Sequence, residues 1–226
     1  MTTSFVSRIP RAYQVLSLTA LATFLVSLDV SIVVVAKRTI EADLGGGSLI
    51  TWVFSAYAIA YAAGLLTAGR FADVYGRKRS FLRGLFIFSV GSLLCGISPT
   101  TWVLILARII QAIGGAQLTP ASIALVLPEF PVEKRTQAIA IWGATGGLAA
   151  ALGPSVGGVL VDSLGWRSLF FINIPFTVVT ILLGRKILHE SKDPNAQRKV
   201  DYPSVVFGFT GIALVVLGIS QSEAWG

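Results

Sequence analysis

Charge is scarce in this chain. Asp, Glu, Lys and Arg make up 13% of its 226 residues, against about 25% in a soluble domain. That deficit excludes an ordinary water-facing surface and places the chain in the membrane class. Cysteine is nearly absent as well, with Cys95 alone in an apolar run. One thiol makes no internal disulfide, and a single His leaves no Cys/His cluster, so no metal site is expected. No G-x4-G-K-S/T loop occurs, so ATP is not expected as the energy source. No cofactor and no enzymatic activity are expected. The net charge of +7 is a common sign of a nucleic-acid partner. Basic residues interleaved with aromatics on a polar surface are missing, however, so none is expected.

Long apolar runs are what the chain has instead. A helix needs roughly 20 apolar residues to cross the hydrocarbon core. Residues 12–36 are broken only by Asp29, and residues 44–69 carry no charge. Residues 84–128 carry one charge, Arg108, and are split by Ser-Pro-Thr-Thr at 98–101. Residues 136–161, 168–184 and 202–222 complete seven expected spans. The first run is too long for a secretory leader, and six spans follow it, so it is read as a retained span. The lipid bilayer is therefore an expected partner.

The loops orient the spans. Fourteen Lys and Arg fall on one side and three on the other, with Arg108 inside a span. The positive-inside rule then puts the N-terminus in the cytoplasm and the C-terminus outside. Trp52, Trp102, Trp166 and Trp225 fall at the expected outer interface, and Trp142 at the inner one.

Residues 69–80, GRFADVYGRKRS, gather charge between two apolar runs. Gly69 is read as the end of the second span, and Gly76 as a tight turn. Asp73 is placed near the start of the third span, either to accept backbone N–H groups or to pair with Arg77. The pattern Gly69-x3-Asp73-x2-Gly76-Arg77 returns 89 residues later as Gly158-x3-Asp162-x2-Gly165, followed by Arg167. Three spans separate the copies, an odd number, so the two loops face opposite sides. A 3+3 inverted repeat has that plan; turn-forming residues recurring by themselves are the other reading.

Asp29 and Arg108 are the only formal charges deep in the spans. Such residues usually face an interior or a water-filled path. Counted from the outer ends of their spans at 1.5 Å per residue, both lie roughly 10 Å deep. Two readings fit: an embedded ion pair, or an Arg that snorkels outward with an Asp that caps a short helix. Tyr57 and Tyr61 lie one turn apart, either lining a cavity or packed in the core. The fifth span is dense in small residues, which permits close helix approach. Pro154 within it permits a bend.

These stretches together resemble the major facilitator superfamily. GRFADVYGRKRS resembles that family's signature between its second and third helices. Four further stretches are similar to its 14-helix drug:proton antiporter branch. They are LDVSIVVVA in the first span, ARIIQAIGGAQLTPAS in the fourth, ALGPSVGGVL in the fifth and GWRSLFFINIP at the sixth. Arg108, Gln111, Gly114 and Pro120 match in the fourth span, and Gly153, Pro154, Gly157 and Gly158 in the fifth. Val34, Lys37 and Arg38 depart from the first motif's Asn, Leu and Pro, which is expected to shorten the first helix. Ala112 replaces a usual Gly.

The resemblance implies an all-α membrane protein, a six-helix bundle over residues 1–190. A linker and a seventh helix follow over residues 191–226. It implies export of lipophilic or cationic small molecules in exchange for protons, across a bacterial plasma membrane. Asp29 and Arg108 would couple the proton. Gly69, Asp73, Gly76, Arg77 and Lys78 would form a cytoplasmic gating latch, and the fifth-span glycines a flexing interface. Tyr57, Tyr61 and Gln111 would line a cavity. It also implies a C-terminal half as partner, since the family has fourteen helices and this chain stops at Gly226 after seven. Nutrient import and a truncated, non-transporting membrane product are the rival expectations.

Overall fold

The computed structural model describes residues 10–192 and 202–220. Among the described residues the chain is helical, without strands. Helix α1 (Arg11–Val35) leads into the short α2 (Lys37–Leu44) and a 3-10 turn. Then come α3 (Ile50–Tyr75), α4 (Arg77–Gly96), α5 (Thr101–Val126) and α6 (Val132–Leu164). The sixth span is two pieces, α7 (Ser168–Phe171) and α8 (Asn173–Ile187), and α9 (Tyr202–Ser220) closes the described chain. Six of these units are long and apolar enough to cross a membrane: α1, α3, α4, α5, α6 and the α7–α8 pair. The expected seventh span is α9, whose apolar part in the described residues is Val206–Ile219. It packs along α3. Trp225 and most of the expected linker lie outside the described residues.

The helices alternate between two ends. The basic end carries Arg11, the 76–79 turn, Glu129 and the end of α8. The tryptophan end carries α2, Trp52, Trp102 and Trp166. One apolar cluster fills the basic end, around Leu16, Phe81, Leu85 and Phe130. A second fills the tryptophan end, around Ile32, Ile50, Leu104 and Phe170. Trp52 and Trp166 belong to the second cluster and Trp142 to the first, the division their sequence positions suggested.

Close approach comes from glycine, at some of the positions the sequence suggests and at others it does not. Helices α4 and α5 meet backbone to backbone. A Cβ placed on Gly91 would lie 2.5 Å from the main chain of Gln111. In the fifth span, Gly153 and Gly157 do pack on α1, at Ser31 and Ile32. Gly143, Gly147 and Gly158 have nothing within 4 Å, and Pro154 is exposed in an uninterrupted helix. Ala112, in place of a Gly, is buried against Tyr57 and Ala60.

Several expected boundaries move. Gly69 does not end its helix: α3 runs on to Tyr75, and Gly69 sits inside it beside Pro120. Leaving the apolar run does not stop a helix, since no breaker occurs before Gly76, whose φ of +118° does. Asp73 therefore lies in the last turn of α3, not at the start of α4. Lys37 and Arg38 do not shorten α1 either. It reaches Val35, and the charged residues form the amphipathic α2, with Ile40 buried beneath. The sixth span breaks at Ile172 because Pro175 has no N–H for the carbonyl of Phe171.

The internal echo is one of local structure as well as sequence. Gly76 and Gly165 each follow the last residue of a long helix, with φ of +118° and +78°. Asp73 and Asp162 each occupy the final turn before them, and Gly69 and Gly158 each lie inside the helix.

Candidate functional site

Asp29 of α1 has no exposure to solvent, and Arg108 of α5 has 1%. They form a salt bridge through Arg108 Nη1 and Asp29 Oδ2. Taking both charges out of water costs several kcal/mol per ion, recovered only if the remaining lone pairs and protons are filled. The neighbouring helices fill those of Asp29, while Arg108 Nε is buried without a hydrogen-bond partner. Gln111 stands three residues after Arg108 on the same face of α5. Its Oε1 accepts from Arg108 Nη1 at 2.7 Å, and its Nε2 donates to Asp29 Oδ1 at 2.8 Å. Asn173, at the start of α8, donates through Nδ2 to the same Oδ1 at 2.9 Å. Ser92 of α4 accepts from Gln111 at 3.1 Å and from Asn173 at 2.9 Å, and donates to the Phe170 carbonyl at 2.9 Å. The Arg108 guanidinium lies 4.0 Å from the Tyr57 ring centroid, close enough for a cation–π attraction.

The geometry therefore selects the embedded pair over the snorkelling arginine. Gln111 and Tyr57 are taken up inside the bundle, at 0% and 3% exposure, rather than on an open wall. Tyr61 is half-buried, stacked on Tyr57 and hydrogen-bonded to Thr119 at 2.7 Å. Ser92 and Asn173 were not singled out from the sequence. Asn173 stands in the quoted FFINIP stretch as the lone amide of an apolar run, which is the signal that marks it.

The basic end is clamped. Arg77 donates to Asp73 at 3.1 Å through Nη2 and to the Ala124 carbonyl at 3.4 Å through Nη1. Lys78 Nζ donates to the carbonyls of Arg185 and Leu188, at 2.9 and 2.7 Å, closing the end of α8. The first N–H groups of α4 have no partners within their own helix. Glu190 supplies them, its two oxygens accepting from the N–H groups of Lys78 and Arg79 at 3.1 Å each. The Ser191 carbonyl accepts from Arg77 N at 2.9 Å. A carboxylate at a helix N-terminus also meets the positive end of the helix dipole. Gly76 is needed for its φ, and a Cβ there would also displace the Glu190 carboxylate, which would lie 2.5 Å away through Oε1.

A second clamp holds the tryptophan end. Asp43 of α2 accepts from Arg167 Nη1 at 2.6 Å and from Trp166 Nε1 at 3.0 Å. Arg167 also donates to the Ser98 carbonyl at 3.2 Å. The Arg167 hydrogen bond, then that of Trp166, holds the Asp43 carboxyl below its ordinary range. A depressed carboxylate stabilises the fold above the unfolded value and loses that contribution only as pH falls through the folded one. The Trp166 indole N–H resonance should therefore hold steady as pH drops through about 4, the ordinary Asp value, and move only below it. A shift centred on the ordinary value would rule out the clamp.

Among the described residues no group of three or more His, Cys, Asp or Glu is arranged to hold a metal.

Comparison with known proteins follows the same lines. The solved structure of a peptide transporter POT (E310Q mutant, with sulfate) superposes with a TM-score of 0.67 at 16% identity. The match covers 93% of this chain and 45% of that one, and likeness at this identity speaks for the fold alone. Multidrug resistance protein 3 of Bacillus subtilis is 38% identical over 180 residues, 80% of this chain and 35% of that protein. The cephamycin export protein CmcT of Amycolatopsis lactamdurans is 35% identical over 225 residues, 97% of this chain and 46% of that protein. The chain thus spans less than half the length of these relatives. The family model of the Major Facilitator Superfamily matches residues 19–221, and the chain belongs to that superfamily.

Proposed function

We propose that this chain is the N-terminal half of a proton-coupled exporter of small lipophilic or cationic molecules. The carrying observation is the fully buried Asp29–Arg108 pair, the one embedded acid–base couple among the described residues of the spans. The cephamycin export protein among its relatives supports the direction of transport. An exporter driven by protons needs a group that takes a proton on one side and releases it on the other. Asp29 is the carboxylate placed for that, with Arg108 as its permanent counter-charge. The partner is a C-terminal half, docked on the open face of α6 where Gly143, Gly147, Pro154 and Gly158 lie uncovered. The membrane is a bacterial plasma membrane, with the basic end in the cytoplasm by the bias of Lys and Arg. The test is dye efflux from proteoliposomes under an imposed pH gradient, using the chain completed by its C-terminal half. Efflux that ignores the gradient would overturn the proposal.

The clamp at the basic end has a role in this scheme. It holds α3, α4, α5 and α8 as one surface for the other half to close against. Asp73→Asn weakens the grip on Arg77 without touching the buried core. The expected outcome is intact insertion and expression with efflux slowed severalfold. Efflux equal to the unsubstituted protein at equal expression would reduce the loop to a topology signal.

A further inference from the structure

Asn173 stands apart in the buried network. Its Nδ2 is doubly used, on Asp29 and Ser92, while its Oδ1 is buried without a hydrogen-bond partner. A carboxamide carries two donors on one arm and an acceptor on the other. With Asp29 ionised the donor arm must face it, because a carbonyl oxygen there would meet carboxylate lone pairs. All three N–H contacts to Asp29, from Arg108, Gln111 and Asn173, serve the anion. A protonated Asp29 has an O–H to donate, and none of the three groups that hold the anion turns an acceptor toward it. Of those three, Asn173 is the one able to answer, with an oxygen that has no partner. Arg108 has no acceptor, and both lone pairs of the Gln111 oxygen are taken, by Arg108 at 2.7 Å and by the Cys95 thiol at 3.8 Å.

We propose that Asn173 is a positioning residue whose carboxamide turns over with the protonation state of Asp29. This rests on the proton-coupled reading above. On protonation, the Asn173 Nδ2–H contacts to Asp29 Oδ1 and Ser92 Oγ break. One proton is added to Asp29, and the new O–H donates to Asn173 Oδ1. The Ser92 hydroxyl, now without its Asn173 donor, is free to turn from the Phe170 carbonyl toward the same oxygen. The displaced N–H2 then points where Oδ1 stood, a place with no partner in this arrangement. It finds an acceptor only if α8 moves. The break at Ile172, where Pro175 leaves a carbonyl without its helical donor, is where that movement is easiest. The charged and titratable groups around Asp29 are Arg108 from α5, Tyr57 from α3 and Cys95 from α4. From α8 comes only the amide of Asn173, and α6 meets α1 nearby through Gly146, Gly153 and Gly157.

The chain has two asparagines, Asn173 and Asn195, so the test is clean. The 226-residue chain is prepared in lipid nanodiscs with nitrogen-labelled asparagine and carboxyl-labelled aspartate, and titrated by NMR. The Asn173 side-chain signals should move with the same midpoint as the Asp29 carboxyl carbon, while those of Asn195 follow a different course. In Asp29→Asn, which adds a third amide, no buried amide should move. Asn173→Leu should displace the Asp29 midpoint by about tenfold in proton concentration, and Asn173→Gln, which keeps both arms, should restore most of it. Asn173 signals that stay fixed while Asp29 titrates would overturn the inference, as would an unchanged midpoint in Asn173→Leu. An Asp29 carboxyl that never titrates in the folded chain would sink the proton-carrier reading and this inference with it. The silent carboxyl carbon distinguishes that failure from the others.

Discussion

Replacing Asp29 by Asn in the completed transporter is expected to abolish uphill efflux driven by a pH gradient. The amide neither binds nor releases the proton, so exchange stops. Neutralising one member of a buried pair has a second effect. It leaves the Arg108 guanidinium buried without a counter-charge, which costs about 3–5 kcal/mol. The single variant is therefore expected to be both uncoupled and less stable, and loss of transport alone would not separate the two. The double variant Asp29→Asn, Arg108→Gln separates them. With neither charge present there is no orphan ion, and amides in both places keep hydrogen bonds with Gln111 and Asn173. Stability should return to within about 1 kcal/mol of the unsubstituted protein, in the manner of a double-mutant cycle between touching residues. Coupling should not return. Downhill movement of a neutral substrate should survive in the double variant, and a cationic one should bind more weakly. Paired measurements of unfolding in detergent and of efflux from proteoliposomes check this. A stable double variant that still pumps uphill at the normal rate would remove Asp29 from the coupling mechanism.

What was legible in the sequence follows from how each interaction is made. Asp29 and Arg108 stand out because a charge within an apolar run is costly and therefore rare, and their equal depth follows from helix rise alone. The turn at Gly76 was legible for a similar reason, since a positive φ selects glycine. Gly69 reads as a helix end because an apolar run stops there, whereas the helix ends at Tyr75, where the backbone must turn. Ser92 is not legible because hydroxyls are common in spans, and only the fold brings it and the lone amide of Asn173 to one carboxylate. Glu190 was invisible as a cap: it follows the helix it serves by more than a hundred residues, at Lys78 and Arg79. The same holds for Asp43 and Arg167, which are 124 residues apart.

The glycines carry the last lesson and the second large effect. Small residues are expected to pack closely in the fifth span, and Gly153 there does, where an added Cβ would run into Ser31 Cβ; Gly91 of α4 is crowded in a different way, against main chain. In a helix interior Ala is favoured over Gly by about 1 kcal/mol, so a Gly→Ala change helps unless the new methyl meets something. At Gly143 and Gly147 of α6 nothing lies within 4 Å, and each substitution should stabilise this chain by up to that amount. At Gly91 the new Cβ would lie 2.5 Å from both N and Cα of Gln111. Those are backbone atoms, not the end of a flexible side chain, so relief requires α4 and α5 to separate. Overpacking of this kind costs typically about 1–3 kcal/mol, and rigid walls favour the upper part of that range, which outweighs the gain in helix propensity. The separation also carries Gln111 away from Asp29 and Ser92, so the ion-pair network opens with it. Gly91→Ala should therefore unfold at lower denaturant than the unsubstituted chain and disturb the Asp29 carboxyl signal, while Gly143→Ala unfolds at equal or higher denaturant with that signal unmoved. Equal stability of Gly91→Ala and the unsubstituted chain would mean that α4 and α5 do not meet at van der Waals contact of their main chains.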